Sequence, residues 1–268
     1  MPHFICRECG TQYAETEAPP DACPICEDER QYVRWEGQAW TTLEEIRASH
    51  SLRWEEEGAG LIGIGSTPSF AIGQRALLVE AADGNVLWDC ISLIDDEIVE
   101  RIEARGGLKA IAISHPHYYT TMVEWSEAFG GIPIYIHADD MKWVQRLHPS
   151  IVAWSGETHA LSPSLTLIRC GGHFEGGAVL HWADGAEGQG ALLTGDILQV
   201  VQDRRHVSFM YSYPNLIPVN AAAVERIRDS LAPHGFDSIF GAWWKRNIVG
   251  NARQAFDISV ERYLDAIR

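Results

Sequence analysis

A short apolar run that ends in two closely spaced histidines constrains this chain more than any other feature. The run covers Ala110 to Ile113, and Ser114 separates it from His115 and His117. The proline between the histidines cannot continue a paired strand, so we expect the pair on a stiff loop at a strand end. In an extended chain, residues i and i+2 point to the same side. The two imidazoles can therefore aim at one point, as the ligands of a metal ion must.

Two later segments also place a potential ligand just past a predicted strand. The glycine-rich stretch 171–177 carries His173, and Asp196 follows the apolar run that ends at Leu193. Loops at strand ends are held by rigid elements while their side chains stay accessible. Three histidines and one carboxylate suit zinc or mononuclear iron. The expected ligands of this main-domain metal site are His115, His117, His173 and Asp196.

Four of the six cysteines form two C-x-x-C pairs within the first 36 residues. Cys6 and Cys9 make the first pair, and Cys23 and Cys26 make the second. Each pair can turn tightly enough to offer two thiolates to one tetrahedral ion. A module this short cannot fold on its apolar core alone, and metal binding at roughly 10–16 kcal/mol is the expected source of its stability. We expect a structural zinc ion, although four thiolates also suit iron.

The stretch Cys6-Arg7-Glu8-Cys9-Gly10-Thr11-Gln12-Tyr13, together with Cys23-Pro24-Ile25-Cys26, resembles the short rubredoxin-like domains. The resemblance covers only this module and implies that iron and electron transfer are possible. We favour zinc because no flavin or di-iron partner site is visible downstream. The module could also mediate self-association into a homo-oligomer.

Charge and composition argue against nucleic acid as a partner, against a membrane span and against secretion. Lys and Arg total 21 against 37 Asp and Glu, which gives a formal charge of −16 and disfavours binding to nucleic acid. No apolar run reaches the roughly 18 residues that a membrane span requires. The residues Met1 to Cys6 lack the charged and apolar regions of a signal peptide, and the C-x-x-C pairs favour a reducing compartment. We therefore expect a cytoplasmic protein that acts on a small molecule.

The order of predicted elements indicates an α+β architecture. We divide the chain into a four-cysteine module over 1–36, a linker with a short helix over 37–59, and a main domain over 60–268. The main domain opens with antiparallel strands and continues with strands mixed with helices, one of them expected over 138–147. This order fits two sheets sandwiched between helices, and it argues against a doubly wound parallel sheet.

The order of the candidate ligands resembles the metallo-β-lactamase superfamily. A strand that ends in H-x-H is followed by the Gly-Gly-His of His173 and then by the Thr-Gly-Asp of Asp196. Asp89, after Val86-Leu87-Trp88, also matches the early strand of that family that ends in Asp. The resemblance spans roughly residues 60 to 268. It implies an αββα sandwich with a metal at one edge of the sheets.

The departures from the family pattern concern the second metal site. The usual first motif is H-x-H-x-D-H, but Tyr119 and Thr120 occupy its last two ligand positions. Where the family often has Gly-His-Gly, this chain has Gly241-Ala242-Trp243-Trp244. Tyr, Thr and Trp are poor ligands for a divalent ion, so the resemblance implies a single metal, held by His115, His117 and His173, with Asp196 as fourth ligand or as partner of a bound water. Trp243 and Trp244 are expected to wall the pocket where the missing histidine would lie.

Three functions follow from a site of this kind. The first is a mononuclear zinc hydrolase of a small ester, lactone, amide or thioester, with Asp196 as general base and Tyr119 as donor of a proton or hydrogen bond. The second is a non-haem iron dioxygenase of the persulfide type, because His115, His173 and Asp196 form a two-His, one-carboxylate set. The third is a member that binds a ligand without turnover.

Overall fold

Successive apolar side chains along the central strands point to opposite faces of the sheet, so each of the two sheets has two buried faces. The computed structural model describes residues 1–268. Leu77 and Val79 pack between the two sheets, whereas Leu78, which lies between them in sequence, packs toward the helices on the outside. This follows from the two-residue period of a strand. Both sheets are therefore covered on both sides, as an αββα sandwich requires.

The larger sheet has seven strands in the order β10-β9-β8-β7-β6-β5-β4. Its first four strands in sequence pair antiparallel, and from β7 to β10 the neighbours are parallel. The strands are β4 (Ser51–Gly58), β5 (Leu61–Thr67), β6 (Ala76–Val79), β7 (Val86–Trp88), β8 (Ala110–Ala112), β9 (Ile134–His137) and β10 (Ile151–Trp154).

The smaller sheet of the sandwich has six strands in the order β11-β12-β13-β14-β19-β20. All neighbours are antiparallel except β14 and β19, which are parallel. The strands are β11 (Thr158–Ala160), β12 (Leu165–Arg169), β13 (Ala178–Trp182), β14 (Ala191–Leu193), β19 (Ser238–Phe240) and β20 (Asn247–Val249). Two small hairpins lie between β14 and β19, formed by β15 (Gln199–Val200) with β16 (Val207–Ser208) and by β17 (Met210–Ser212) with β18 (Ile217–Pro218).

Helices cover the outer face of each sheet. Helices α3 and α4 pack on the larger sheet through buried residues such as Ile98 and Trp125, and α6 and α7 pack on the smaller sheet through residues such as Ile227 and Phe256. None of the helices has the length and apolar character needed to cross a bilayer. The α-helices are α1 (Pro24–Glu27), α2 (Leu43–Ser49), α3 (Asp96–Glu103), α4 (Met122–Ala128), α5 (Gly185–Gly188, one irregular turn), α6 (Ala221–Leu231) and α7 (Ala252–Ala266).

The N-terminal residues form a small three-stranded sheet in the order β2-β1-β3, with β1 at His3–Cys6, β2 at Gln12–Glu15 and β3 at Trp40–Thr41. Its core consists of the four cysteines with Tyr13 and Ile25. The four-cysteine module thus takes its third strand from beyond residue 36. The division of the chain into separate domains stays a prediction.

Several elements differ from the prediction for physical reasons. The stretch expected as a helix over 138–147 forms a 3-10 helix over Ala138–Trp143 and turns extended at Val144. The strand Ser51–Gly58 was missed, because it is an edge strand whose charged side chains are mostly partly exposed. The short helix expected before it is present, and its capping box joins Thr42 and Glu45.

A buried ion pair closes one end of the sandwich. The side chain of Arg75 is fully buried and pairs with Glu57 of the edge strand β4. Asn247 of β20 accepts from Arg75 at 2.6 Å and donates to Glu57 at 2.6 Å, and the carbonyl oxygen of Gly241 accepts from Arg75 at 3.0 Å. These bonds join the edge strands of both sheets.

Replacing Glu57 by Gln should strongly destabilise the protein, because it leaves the buried Arg75 without its counter-charge. We expect a loss of about 3–5 kcal/mol in the free energy of unfolding, measured by denaturant titration. Glu55→Gln is the matched control, since Glu55 pairs with Arg53 in a partly exposed position where a loss of about 0–1 kcal/mol is expected. Equal effects of the two substitutions would contradict the assignment.

Candidate metal centre

The two closely spaced histidines lie where the buried strand β8 ends. The backbone N–H of Ser114 donates to the Asp89 carboxylate at 2.8 Å, which ties this strand end to the end of β7. His115 keeps an extended backbone, but His117 lies within a 3-10 turn over Pro116–Tyr118. The sequence argument from a fully extended pair was therefore wrong in detail. His115 faces the site with Nε2, whereas His117 faces it with Nδ1.

The glycine-rich turn between β12 and β13 orients His173. Its ring nitrogen Nδ1 donates to the carbonyl oxygen of Tyr211 at 2.8 Å, on the short strand β17. With the proton on Nδ1, Nε2 carries a lone pair and faces His117 and Asp196. A backbone carbonyl that fixes the tautomer of a histidine in this way is a common arrangement around metal ligands.

The turn after β14 brings Asp196 against the strand end that carries His115. Gly195 has a φ of 52°, and a Cβ atom there would lie 2.6 Å from the Oγ of Ser114. Only glycine therefore allows the two loops to approach this closely. The hydroxyl of Tyr213 donates to the backbone carbonyl of Asp196 at 2.7 Å and holds the turn from the other side.

The structure brings all four predicted ligands together. One donor atom from each of His115, His117, His173 and Asp196 lies within 4.8 Å of the other three. The Nε2 atom of His115 is 2.8 Å from Oδ1 of Asp196, and Nε2 of His173 is 3.3 Å from Nδ1 of His117. The four residues are only 1–2% exposed.

The buried polar atoms of this group fit a cation at its centre. Nε2 of His115 and Oδ1 of Asp196 are buried without a hydrogen-bond partner, despite lying close together. Leaving such atoms unpaired is costly, and a divalent ion would satisfy both. Burial lowers the pKa of His115 to about 3 and that of His173 to about 4, and it also lowers the pKa of His117. The imidazoles are therefore neutral and can donate lone pairs.

A cavity of about 330 Å³ opens onto this group. Three of the four candidate ligands, His117, His173 and Asp196, form part of its wall. The remaining lining residues are Arg30, Gln31, Tyr32, Ala71, Ile72, Tyr213, Pro214 and Trp243. Trp243 is held by a hydrogen bond from its indole N–H to the carbonyl oxygen of Ile72 at 3.1 Å. The cavity has the size of a small-molecule site and both polar and apolar walls.

Two of the residues expected near the site are placed elsewhere. The hydroxyl of Tyr119 donates to the backbone carbonyl of Asp140 at 2.9 Å, and Tyr119 does not line the cavity. That proton is therefore engaged away from the candidate ligands, contrary to the expectation for Tyr119. Trp243 lines the cavity as expected, but Trp244 packs on Gly63 and Gly65 of the larger sheet.

Sequence reasoning missed the part of the wall that the four-cysteine module supplies. Arg30, Gln31 and Tyr32 follow the second C-x-x-C pair and line the cavity beside His173. No motif or periodicity marks these residues, because their position depends on how the module packs on the sandwich. Asp89 and Tyr213, which hold the candidate ligand loops, were likewise not recognised in these roles.

The four cysteines form a second candidate metal site. The Sγ atoms of Cys6 and Cys26 are 3.6 Å apart, as are those of Cys9 and Cys23. All four sulfur atoms lie within 4.8 Å of one another, the residues are at most 2% exposed, and none forms a disulfide. The side-chain amide of Gln38 donates to the sulfur of Cys6 at 3.1 Å. Such a cluster is suited to one tetrahedral ion.

The αββα architecture and the three-histidine, one-aspartate group at the strand ends define a protein of the metallo-β-lactamase fold. Known structures agree: the chain matches VMB-1 with a TM-score of 0.61 at 14% identity, covering 81% of this chain and 99% of that one. It matches the mono-zinc form of the metallo-β-lactamase FIM-1 from Pseudomonas aeruginosa with a TM-score of 0.56 at 17% identity, covering 80% and 96%. It also matches TTHA1623 in a di-iron-bound form with a TM-score of 0.51 at 17% identity, covering 69% and 94%.

Sequence comparison identifies the family within this fold. The chain is 51% identical over 269 residues to the Bacillus subtilis (strain 168) protein YmaE, which is described as uncharacterized, and the match covers 100% of this chain and 97% of YmaE. The chain therefore belongs to the YmaE family. No protein-family model matches it.

Substitution of one ligand at a time should show that the two candidate sites bind metal independently. We expect the purified protein to bind two metal ions per chain, measured by elemental analysis. His173→Ala should remove about one ion and spare the thiolate site, whereas Cys23→Ser should remove the other. His148→Ala, at a partly exposed surface histidine paired with Glu127, is the control that should change neither. Loss of both ions from His173→Ala would show that the sites are not independent.

Proposed function

We propose that this protein is a metal-dependent hydrolase with one metal ion in the sandwich domain, acting on a small ester, lactone, amide or thioester. The observation that carries the proposal is the buried set His115, His117, His173 and Asp196, of which the last three line a cavity that admits a small molecule. A zinc ion bound there would polarise a substrate oxygen and lower the pKa of a coordinated water to about 7. A small-molecule substrate is part of the same proposal.

We propose different roles for the histidines and for Asp196, based on where the structure places them. The three imidazoles supply neutral donors from rigid strand ends, and the contacts of Ser114 and Tyr211 fix the ring orientations of His115 and His173. Asp196 directs Oδ1 toward the histidines. Its other carboxylate oxygen is the group that we propose accepts a proton from the attacking water.

A single ion is proposed because the cavity offers no second ligand set. Tyr119 and Thr120 stand where the superfamily pattern has Asp and His, and Trp243 stands near the position of the further histidine. Apart from the candidate ligands, no residue lining the cavity is a His, Cys, Asp or Glu. The alternative with two ions would lack donors of the required kind.

The choice between zinc and iron rests on the number of imidazoles. Of the structural neighbours, one is described with zinc and another with iron, so the fold alone does not decide. An iron dioxygenase would use the two-His, one-carboxylate set of His115, His173 and Asp196. The third imidazole, from His117, gives three neutral nitrogen donors, as in three-histidine catalytic zinc sites, and leaves a coordination position for water or substrate, which favours zinc and hydrolysis. For the four-cysteine site we propose a structural zinc ion.

Hydrolysis should depend on the candidate ligands and not on Tyr119. In a screen of small esters, lactones and thioesters with metal-loaded protein, we expect His117→Ala and Asp196→Ala to lower kcat/KM by about a hundredfold or more. Tyr119→Phe should retain activity within about threefold, since its hydroxyl is bonded to the Asp140 carbonyl. The control His148→Ala should be unchanged. Turnover that survives His117→Ala would refute the proposed site.

A further inference from the structure

Arg30 brings a positive charge from the four-cysteine module to the wall of the candidate active-site cavity. It follows the second C-x-x-C pair by four residues, and its side chain is 11% exposed. The guanidinium lies 4.0 Å from the ring centre of Phe174 and 5.2 Å from the rings of Tyr211 and Trp143. Aromatic faces on several sides hold the planar group in one orientation.

Part of the Arg30 guanidinium has no hydrogen-bond acceptor in the protein. Nε and one Nη2 hydrogen donate to the two oxygens of Asp28 at 2.6 and 2.9 Å, and Nη1 donates to the carbonyl oxygen of His173 at 3.4 Å. Arginine has five N–H groups, so two of them, one on Nη1 and one on Nη2, have no acceptor in the protein. We call these two N–H groups the free fork; as donors on a charged guanidinium they are the kind of group that a carboxylate binds strongly.

Several hydrogen bonds fix the module on the sandwich and hence fix Arg30 at the cavity. The side chain of Asn215 donates to the carbonyl oxygens of Glu29 and Gln31, at 2.8 and 3.0 Å, on both sides of Arg30. The backbone N–H of Gln12 donates at 3.0 Å to the carbonyl of Thr120, a short way beyond the candidate ligand His117. The fork is therefore held in place before any substrate binds.

The charges around the cavity favour an anion of low charge. Arg30 is the only Lys or Arg that lines the cavity, on a chain whose formal charge is −16. Asp28 already offsets much of its charge, so the free fork suits a monoanion better than a dianion. The nearby walls from Ala71, Ile72 and Pro214 are apolar and suit a short carbon chain or ring attached to the anionic group.

We propose that Arg30 binds a carboxylate of the substrate, so that the substrate is a small ester, lactone, amide or thioester that also carries a carboxylate group. The identity of the scissile bond rests on the proposed hydrolase function, but the carboxylate subsite itself does not. Arg30 is a specificity-determining residue, and the four-cysteine module is a part of the active site because it supplies that residue.

The test compares a carboxylate with its neutral amide. Calorimetric titration of metal-loaded full-length protein with 3-phenylpropionate should give a dissociation constant at least about tenfold below that for 3-phenylpropionamide. Arg30→Gln should weaken binding of the carboxylate by about tenfold and leave binding of the amide unchanged. Arg34→Gln is the matched control, since Arg34 belongs to the same module but pairs with Glu8 and Glu36 and does not line the cavity.

Three other results would contradict the proposed carboxylate subsite at Arg30. Carboxylate binding that is unchanged in Arg30→Gln would place the anion on the metal or elsewhere. Equal weakening of both probes would show that Arg30 only supports the wall, and Arg30→Lys, which keeps the charge, should then restore neither. Inorganic phosphate that binds more tightly than the carboxylate, in a manner dependent on Arg30, would reject the carboxylate class. Because binding is measured without turnover, an Arg30-dependent affinity in a protein that hydrolyses no ester would retain the subsite and reject the hydrolase.

Discussion

The structure depends on the burial of three imidazoles and one carboxylate, groups that commonly bind metal ions, at the edge where three loops of the sandwich meet. Nε2 of His115 and Oδ1 of Asp196 have no protein partner, although both are shielded from water. An unpaired buried polar atom costs about 1–3 kcal/mol, and a cation among these four donors would remove that cost for both atoms. The closely packed loops around Ser114, Gly195 and His173 therefore make sense as the frame of a cation site.

The sandwich and the four-cysteine module both contribute to the structure at this edge. The sandwich supplies strand ends that are rigid enough to aim the imidazoles, and the four-cysteine module packs over them. Hydrogen bonds from Gln12 to Thr120 and from Asn215 to the backbone beside Arg30 join the two. The thiolate cluster lies close in sequence to Arg30, so the stability of that cluster sets the position of a cavity wall. Through this coupling, a metal ion held by the four cysteines would influence the candidate site in the sandwich without contacting it.

The sequence predicted most of what local pattern determines and less of what depends on packing. Strand ends, the H-x-H pair, the Gly-Gly-His and Thr-Gly-Asp turns and both C-x-x-C pairs are local signals, and the structure places their side chains in two clusters as expected. Tyr119 was assigned by its position in a motif, but the direction of its hydroxyl depends on the 3-10 helix that begins at Ala138. Arg30 contacts His173, and Arg75 pairs with Glu57. Both contacts link residues more than a dozen positions apart in the chain, and no periodicity marks these residues. The edge strand Ser51–Gly58 was missed because its polar side chains conceal the strand pattern.

The central claim is that one ion occupies the group formed by His115, His117, His173 and Asp196. Anomalous diffraction from crystals of the full chain, collected at the zinc and iron absorption edges, tests it most directly. We expect one anomalous peak at this group, bonded to the three ring nitrogens and close to the Asp196 carboxylate, and a separate peak among the four cysteines. Two ions side by side in the sandwich domain, or four side chains with no ion between them, would contradict it.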